Sequence, residues 1–159
     1  MGRGRGGYTG YEACYKDSGG YKVTDKGTIF VAERYIDQGY EVVFKQKHQP
    51  SKTCDLLVKT SEDSNIVKYI EVKRVTSENS SKLATNIGDA FTHFSAGYEG
   101  TAGIYLPYRR NNETGRRFAM EGFAEAKRKG WVTGTVEIWF SDKTKTLALD
   151  VVVIRVEYL

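Results

Sequence analysis

Two short stretches hold the residues whose types and spacing could do chemistry. Cys54-Asp55-Leu56-Leu57-Val58 sets an aspartate at the mouth of a buried strand, and Tyr69-Ile70-Glu71-Val72-Lys73-Arg74 sets a Glu-x-Lys on the next. Successive side chains of a strand alternate faces, so Glu71 and Lys73 share one face while Ile70 and Val72 point the other way, into a core. Leu56-Leu57-Val58 is apolar throughout, which suits a strand covered on both sides. A carboxylate beside such a core is costly unless it is paired or bound to metal. If the two strands are neighbours, Asp55 and Glu71 converge on one hard divalent cation, with the Val72 carbonyl as a third oxygen and waters completing the octahedron. Such an ion, Mg²⁺ or Mn²⁺, lowers the pKa of a bound water and polarises a phosphate. Lys73 then orients the attacking water and neutralises charge developing in the transition state. The plainer alternatives are a solvated stripe for Glu-x-Lys and a turn residue for Asp55.

Other elements must position this pair. Thr24 or Asp25 can cap a helix that runs to about Gln38 and stops at Gly39. Its inward face at helical spacing reads Ile29, Ala32, Glu33 and Ile36, which makes Glu33 an acid on an apolar stripe. From there Glu33 can reach the Asp55–Glu71 pair as a further metal ligand or as the holder of a water. Its alternative is a solvated edge. Strands are expected over 40–45, 53–59 and 66–75, with a polar turn at 61–65 that makes the three an antiparallel meander. A second helix over about 80–94 follows the capping cluster Asn79-Ser80-Ser81, and a short strand, 102–106, ends at Pro107.

A third helix, capped by Asn111 or Asn112, ends at Lys129-Gly130. Residues 132–140 and 145–158 are strand-like around the turn Ser141-Asp142-Lys143-Thr144. The order αβββαβαββ describes an α/β (α+β) domain with a mixed central sheet of about six strands flanked by three helices.

A chain of 159 residues suits one domain, placed at 22–159, behind a leader over 1–21 rich in Gly, Tyr and Arg. Glycine costs so much entropy to order that the start of this leader should be mobile. It reads as a linker or as an Arg/Tyr segment that stacks on RNA. With 40% apolar and 28% charged residues the composition excludes a disordered chain. A net charge of +4 tolerates nucleic acid as partner without demanding it. Cys14 and Cys54 are too few for a disulfide scaffold, and Cys54 reads as a small buried hydrophobe. No run approaches the roughly 20 apolar residues of a membrane span and no signal peptide opens the sequence, so no membrane anchor is expected.

Two basic groups are candidate phosphate contacts. Lys45, Lys47, His48 and Lys52 surround the loop that leads to Asp55, and Arg109 and Arg110, with Arg116 and Arg117 beyond, open the third helix. A solvated basic face is the alternative for each. A metal-free ribonuclease built on His48 and His93 would need both in one cleft as acid and base. His93 lies near Phe91 and Phe94 and reads as a packed or capping histidine. The histidines and cysteines have no zinc-ligand spacing.

Helix-Glu, strand, strand-Asp, strand-Glu-x-Lys, helix is an order that resembles the PD-(D/E)XK nuclease superfamily. That resemblance implies a metal-dependent phosphodiesterase site made of Glu33, Asp55, Glu71 and Lys73, with Cys54 where the motif has proline. The stretch from Ile29 to about Phe94 is similar, more closely, to the C-terminal tRNase toxin domains of contact-dependent growth inhibition (CdiA) proteins. This implies an endonuclease for tRNA; duplex DNA is the alternative substrate. It further implies a parent carrier protein joined at the N-terminus, action in a target cell's cytoplasm and a cognate immunity protein as partner. An acidic surface on that protector would suit a basic domain. Relatives of this kind lend the site a polar side chain from the second helix; Lys82, Thr85, Asn86 and Asp89 are the candidates, with Lys82 preferred as a phosphate contact. Two other classes stay open: a non-catalytic nucleic-acid-binding module, and a housekeeping DNA nuclease of the repair or restriction kind.

Overall fold

A computed structural model of the chain describes residues 15–46, 53–94, 99–148 and 154–157. Its elements run α1 (Lys26–Asp37), β1 (Glu41–Phe44), β2 (Leu56–Lys59), β3 (Ile66–Arg74), α2 (Ser80–Phe91), β4 (Thr101–Leu106), α3 (Glu113–Arg128), β5 (Thr135–Phe140), β6 (Lys145–Ala148) and β7 (Ile154–Glu157). The caps expected for α1 form. Asp25 Oδ2 accepts the Thr28 N–H at 2.8 Å, and the helix ends at Gly39, whose φ of +97° is open to glycine at little cost. Asn79 and Asn112 cap α2 and α3 in the same way, through Ser81 and Gly115 N–H groups.

The strands form one mixed sheet in chain order, β1 to β7. Pairing is antiparallel from β1 to β3, parallel from β3 through β4 to β5, and antiparallel again to β7. The two parallel crossovers advance in the same direction, so right-handed connections deposit α2 and α3 on the same face. There Leu83, Ile87, Phe118 and Phe123 close over Ile104, Leu106, Ile138 and Phe140. On the opposite face α1 packs Val31, Ala32 and Tyr35 against Leu56, Val58, Ile70, Val72 and Trp139. The alternation read from the sequence therefore holds in β3: Ile70 and Val72 lie under α1, and Glu71 and Lys73 look toward α2.

Three details differ from the expected elements. The inward stripe of α1 is Thr28, Val31, Ala32 and Tyr35, and Ile29 and Ile36 lie half-buried at its flanks. The strand expected over 145–158 is two strands: β6 pairs antiparallel with β7 so that Lys145 stands opposite Glu157, and residues 149–153 between them lie outside the described residues. This stretch contains no Gly or Pro to mark a reversal. The last part of the glycine-rich leader, Tyr15–Tyr21, belongs with the domain. It forms a hairpin bridged at Lys16 and Lys22 and pinned to β1 by Ser18 N–H donating to the Phe44 carbonyl at 2.8 Å.

A buried ionic cluster ties α1 to β3, β5 and β6. Glu137 of β5, fully buried, accepts from the Tyr35 hydroxyl at 2.6 and 2.7 Å, and pairs with Lys68 and with Lys145 Nζ at 3.8 Å. Among the described residues no helix is long and apolar enough to cross a membrane.

Candidate active site

The site begins where β2 runs out. Leu56 is the first residue of β2 and stands opposite Ile70; just before it, Asp55 N–H donates to the Ile70 carbonyl at 3.0 Å. One step further along β3, the Val72 N–H faces an edge with no strand beside it. A buried amide must find a partner, and the Asp55 side chain supplies one: Oδ2 accepts the Val72 N–H at 2.8 Å. The N–H and C=O of one strand residue point to the same edge. The Val72 carbonyl therefore lies on this edge too, past the end of β2.

A cleft of about 600 Å³ opens there, walled by Asp55, Glu71, Val72, Lys73 and His93. Thr28 of α1, Phe44 at the end of β1, and Lys45 complete one side, and the hairpin residues Asp17, Tyr21 and Lys22 form the lip. Asp55 and Glu71 are 7% and 2% exposed, so both carboxylates are largely stripped of bulk water. Lys73 Nζ stands 3.8 Å from Glu71 Oε2 and 2.5 Å from Asp89 Oδ2. His93 Nδ1 is 3.5 Å from Glu71 Oε2, and its Nε2 is 3.9 Å from Asp89 Oδ2. Asp89 and His93 are four residues apart, so the last turn of α2 and the turn after it present them together to the Glu71–Lys73 face.

The donor set fits a hard divalent cation. Two carboxylates and a backbone carbonyl border one cleft, and Mg²⁺ is ordinarily held by one or two carboxylates with waters and substrate oxygens filling the rest of its shell. Among the described residues no three His, Cys, Asp or Glu side chains gather into a cage of their own. Asp55, Glu71 and the Val72 carbonyl are the groups that would hold the ion.

Glu33 is not in the cleft wall. It is buried, its Oε2 accepts from the Tyr15 hydroxyl at 3.0 Å, and its Oε1 lies 4.0 Å from the Arg34 guanidinium. Thr28 does face the cleft, and five residues of helix rotate Glu33 about 140° away from it. Tyr15, the partner of Glu33, lies with its ring centroid 4.9 Å from that of Phe44.

The remaining candidates divide. Lys45 lines the cleft, and so does Arg74, not among the sequence candidates, which reaches it from the α1 side, where its Cβ packs close to Gly27. Of the polar residues of α2, Asp89 touches Lys73, whereas Thr85 and Asn86 bond back to their own helix at Ser81 and Lys82 carbonyls. Lys82 is exposed near the other end of α2 and does not line the cleft. Arg109 lays its guanidinium 4.0 Å from the centre of the Phe118 ring, and neither it nor exposed Arg110 borders the cleft. Lys47, His48 and Lys52 lie outside the described residues, as does Cys14.

Cys54 is buried, with its Sγ 3.6 Å from the Leu56 carbonyl. Burial, reinforced by the charges of Glu71 and Asp55, pushes its thiol up to about 11. It is a neutral packing group beside the site and not a nucleophile. The sequence pattern read His93 as a packed or capping residue and set Lys82 ahead of Asp89. The spacing of four between Asp89 and His93, set against a strand face bearing Glu-x-Lys, was the available signal.

Comparison with protein-family models, with curated proteins and with solved structures found no match to this chain.

Proposed function

We propose that the chain is a metal-dependent nuclease of the PD-(D/E)XK type, hydrolysing phosphodiester bonds. One observation carries the reading: Asp55 at the mouth of β2, and Glu71, Val72 and Lys73 on β3, wall a single cleft with the Asp55 carboxylate locked in place by the Val72 N–H. A divalent ion, when bound, supplies a water of lowered pKa and an electrophile for the phosphate oxygens. Asp55 and Glu71 give the cleft the negative charge that such an ion neutralises. Lys73 brings an ammonium over the floor, where it orients the attacking water and offsets charge that builds on the phosphate. Asp89 anchors that ammonium from the far side, at 2.5 Å.

Around this floor stand Lys22, Lys45 and Arg74, which form no ion pair among the described residues. They are placed to hold phosphates on either side of the scissile one.

The finer reading rests on the likeness of residues 29–94 to CdiA-type toxin domains. On it the substrate is tRNA, with duplex DNA the alternative, the domain is delivered from a larger carrier into a target cell's cytoplasm, and a cognate immunity protein binds this basic domain. Total tRNA and duplex DNA incubated with Mg²⁺, each with wild type and with Glu71→Ala, test substrate and site together. Discrete tRNA fragments from wild type alone are expected. Cleavage of duplex DNA alone would move the substrate to DNA, and intact nucleic acid in every lane would overturn the nuclease reading.

A further inference from the structure

The lip of the cleft carries an aromatic ring that the metal chemistry does not use. Tyr21 is 51% exposed, the one large exposed aromatic of the described residues that borders this cleft. Single exposed aromatics are common and mean little by themselves. The backbone that carries this one is pinned. Asp17 Oδ1 accepts the Gly19 and Tyr21 N–H groups at 2.8 and 3.0 Å, and Asp17 N–H donates to the Tyr21 carbonyl at 2.9 Å. Gly20 supplies the positive φ of +89° that the reversal needs. Ser18 then ties the hairpin to the sheet from both its backbone and its hydroxyl, which accepts Gln46 N–H at 3.0 Å.

Neighbouring charges say what such a ring would meet. Of the acids on the wall, Asp17 is committed to the hairpin and Asp25 to the α1 cap, so Asp55 and Glu71 alone supply the floor. The cations Lys22, Lys45 and Arg74 have no ion-pair partner among the described residues. A half-exposed ring on a pinned hairpin, beside cations that form no ion pair among the described residues, is an arrangement that suits a nucleic-acid strand: cations follow the phosphates while the ring stacks on a base. Stacking needs an open base face. In a duplex both faces of each base are already covered by neighbours, so the ring selects unpaired nucleotides.

We propose that Tyr21 is a base-stacking platform that makes this cleft specific for single-stranded segments of nucleic acid. The proposal deepens the nuclease reading and rests on it for the position of the scissile phosphate. The test is fluorescence anisotropy of the full chain, in EDTA so that no cleavage occurs. The probe is a labelled single-stranded RNA of roughly 12 nucleotides, within the ~4–16-nucleotide sites of such grooves, beside the same sequence as a duplex. Tyr21→Ala should weaken single-strand binding by roughly 5- to 150-fold, the range of one lost stacked base, and leave duplex binding nearly unchanged. Tyr21→Phe, which keeps the ring and loses only the hydroxyl, should bind as wild type does.

Equal single-strand affinity for wild type and Tyr21→Ala would overturn the proposal. So would a Tyr21→Phe variant as weak as Tyr21→Ala, or no binding by wild type. Adding Mg²⁺ separates the two claims. Cleavage with no dependence on Tyr21 would remove the platform and leave the nuclease. Ring-dependent binding without cleavage would keep the platform and remove the nuclease.

Discussion

Asp89 shows how much of this site is support. Its carboxylate reaches Lys73 Nζ at 2.5 Å from the partly exposed end of α2, where removing it leaves no buried hole. Asp89→Asn should therefore fold normally yet lower the turnover of nucleic acid by about 10–100-fold, the usual cost of losing a group that orients an active-site ligand. Urea unfolding run beside single-turnover cleavage checks both halves; a matching loss of stability would make Asp89 structural instead. Cys54 gives a prediction of the opposite kind. Its thiol titrates at about 11 when folded against an ordinary 9.0, so below pH 9 it is neutral in both states and its contribution is fully present. As pH rises from 9 to 11 the unfolded chain loses the proton first, and the linkage relation makes stability fall. Chemical denaturation across that range should show a decline of about 2–3 kcal/mol that Cys54→Ala lacks. An identical decline in the variant would contradict it. At this scale Asp55, Glu71, Val72 and Lys73 were legible because a two-residue period and one apolar run locate them. Glu33 was not, because a helical stripe gives a face without saying which neighbour that face meets.

Elements were legible where local chemistry marks their ends. Asp25 and Gly39 bound α1 as their side-chain and backbone preferences require, and Asn79 and Asn112 start α2 and α3. The reversal between β6 and β7 has no such mark, and the hairpin of Tyr15–Tyr21 hides inside a composition that reads as a linker. Equally hidden was the cluster that holds α1 to β5. Tyr35 and Glu137 are 102 residues apart, and no local pattern pairs them. Glu137→Ala would remove the buried carboxylate that Lys68, Lys145 and the Tyr35 hydroxyl share. We expect a loss of about 3–5 kcal/mol in urea unfolding, the cost of breaking a buried pair from one side. A change within about 0.5 kcal/mol, typical of surface substitutions, would show that the cluster is solvated.

Across the whole molecule, a net charge of +4 says little, whereas its placement says more. Carboxylates sit on the cleft floor, and Lys22, Lys45 and Arg74 stand around it without ion pairs among the described residues. Each phosphate contact contributes about 0.7 to the slope of log affinity against log salt for a single strand. Replacing all three cations by Ala should reduce that slope by about 2, whereas Arg109→Ala and Arg110→Ala, away from the cleft, should leave it unchanged. An unchanged slope in the triple variant would place the nucleic acid on another surface.

Phosphodiester hydrolysis at this cleft requires that Asp55 and Glu71 hold a divalent ion. Its most direct measurement is the cleavage rate of total tRNA against Mg²⁺ concentration for wild type, Asp55→Asn and Glu71→Gln, substitutions that keep shape and remove charge. Wild type should show saturable, EDTA-sensitive cleavage and either variant almost none, with folding retained. Cleavage that persists in EDTA, or that survives in both variants at the wild-type rate, would contradict it.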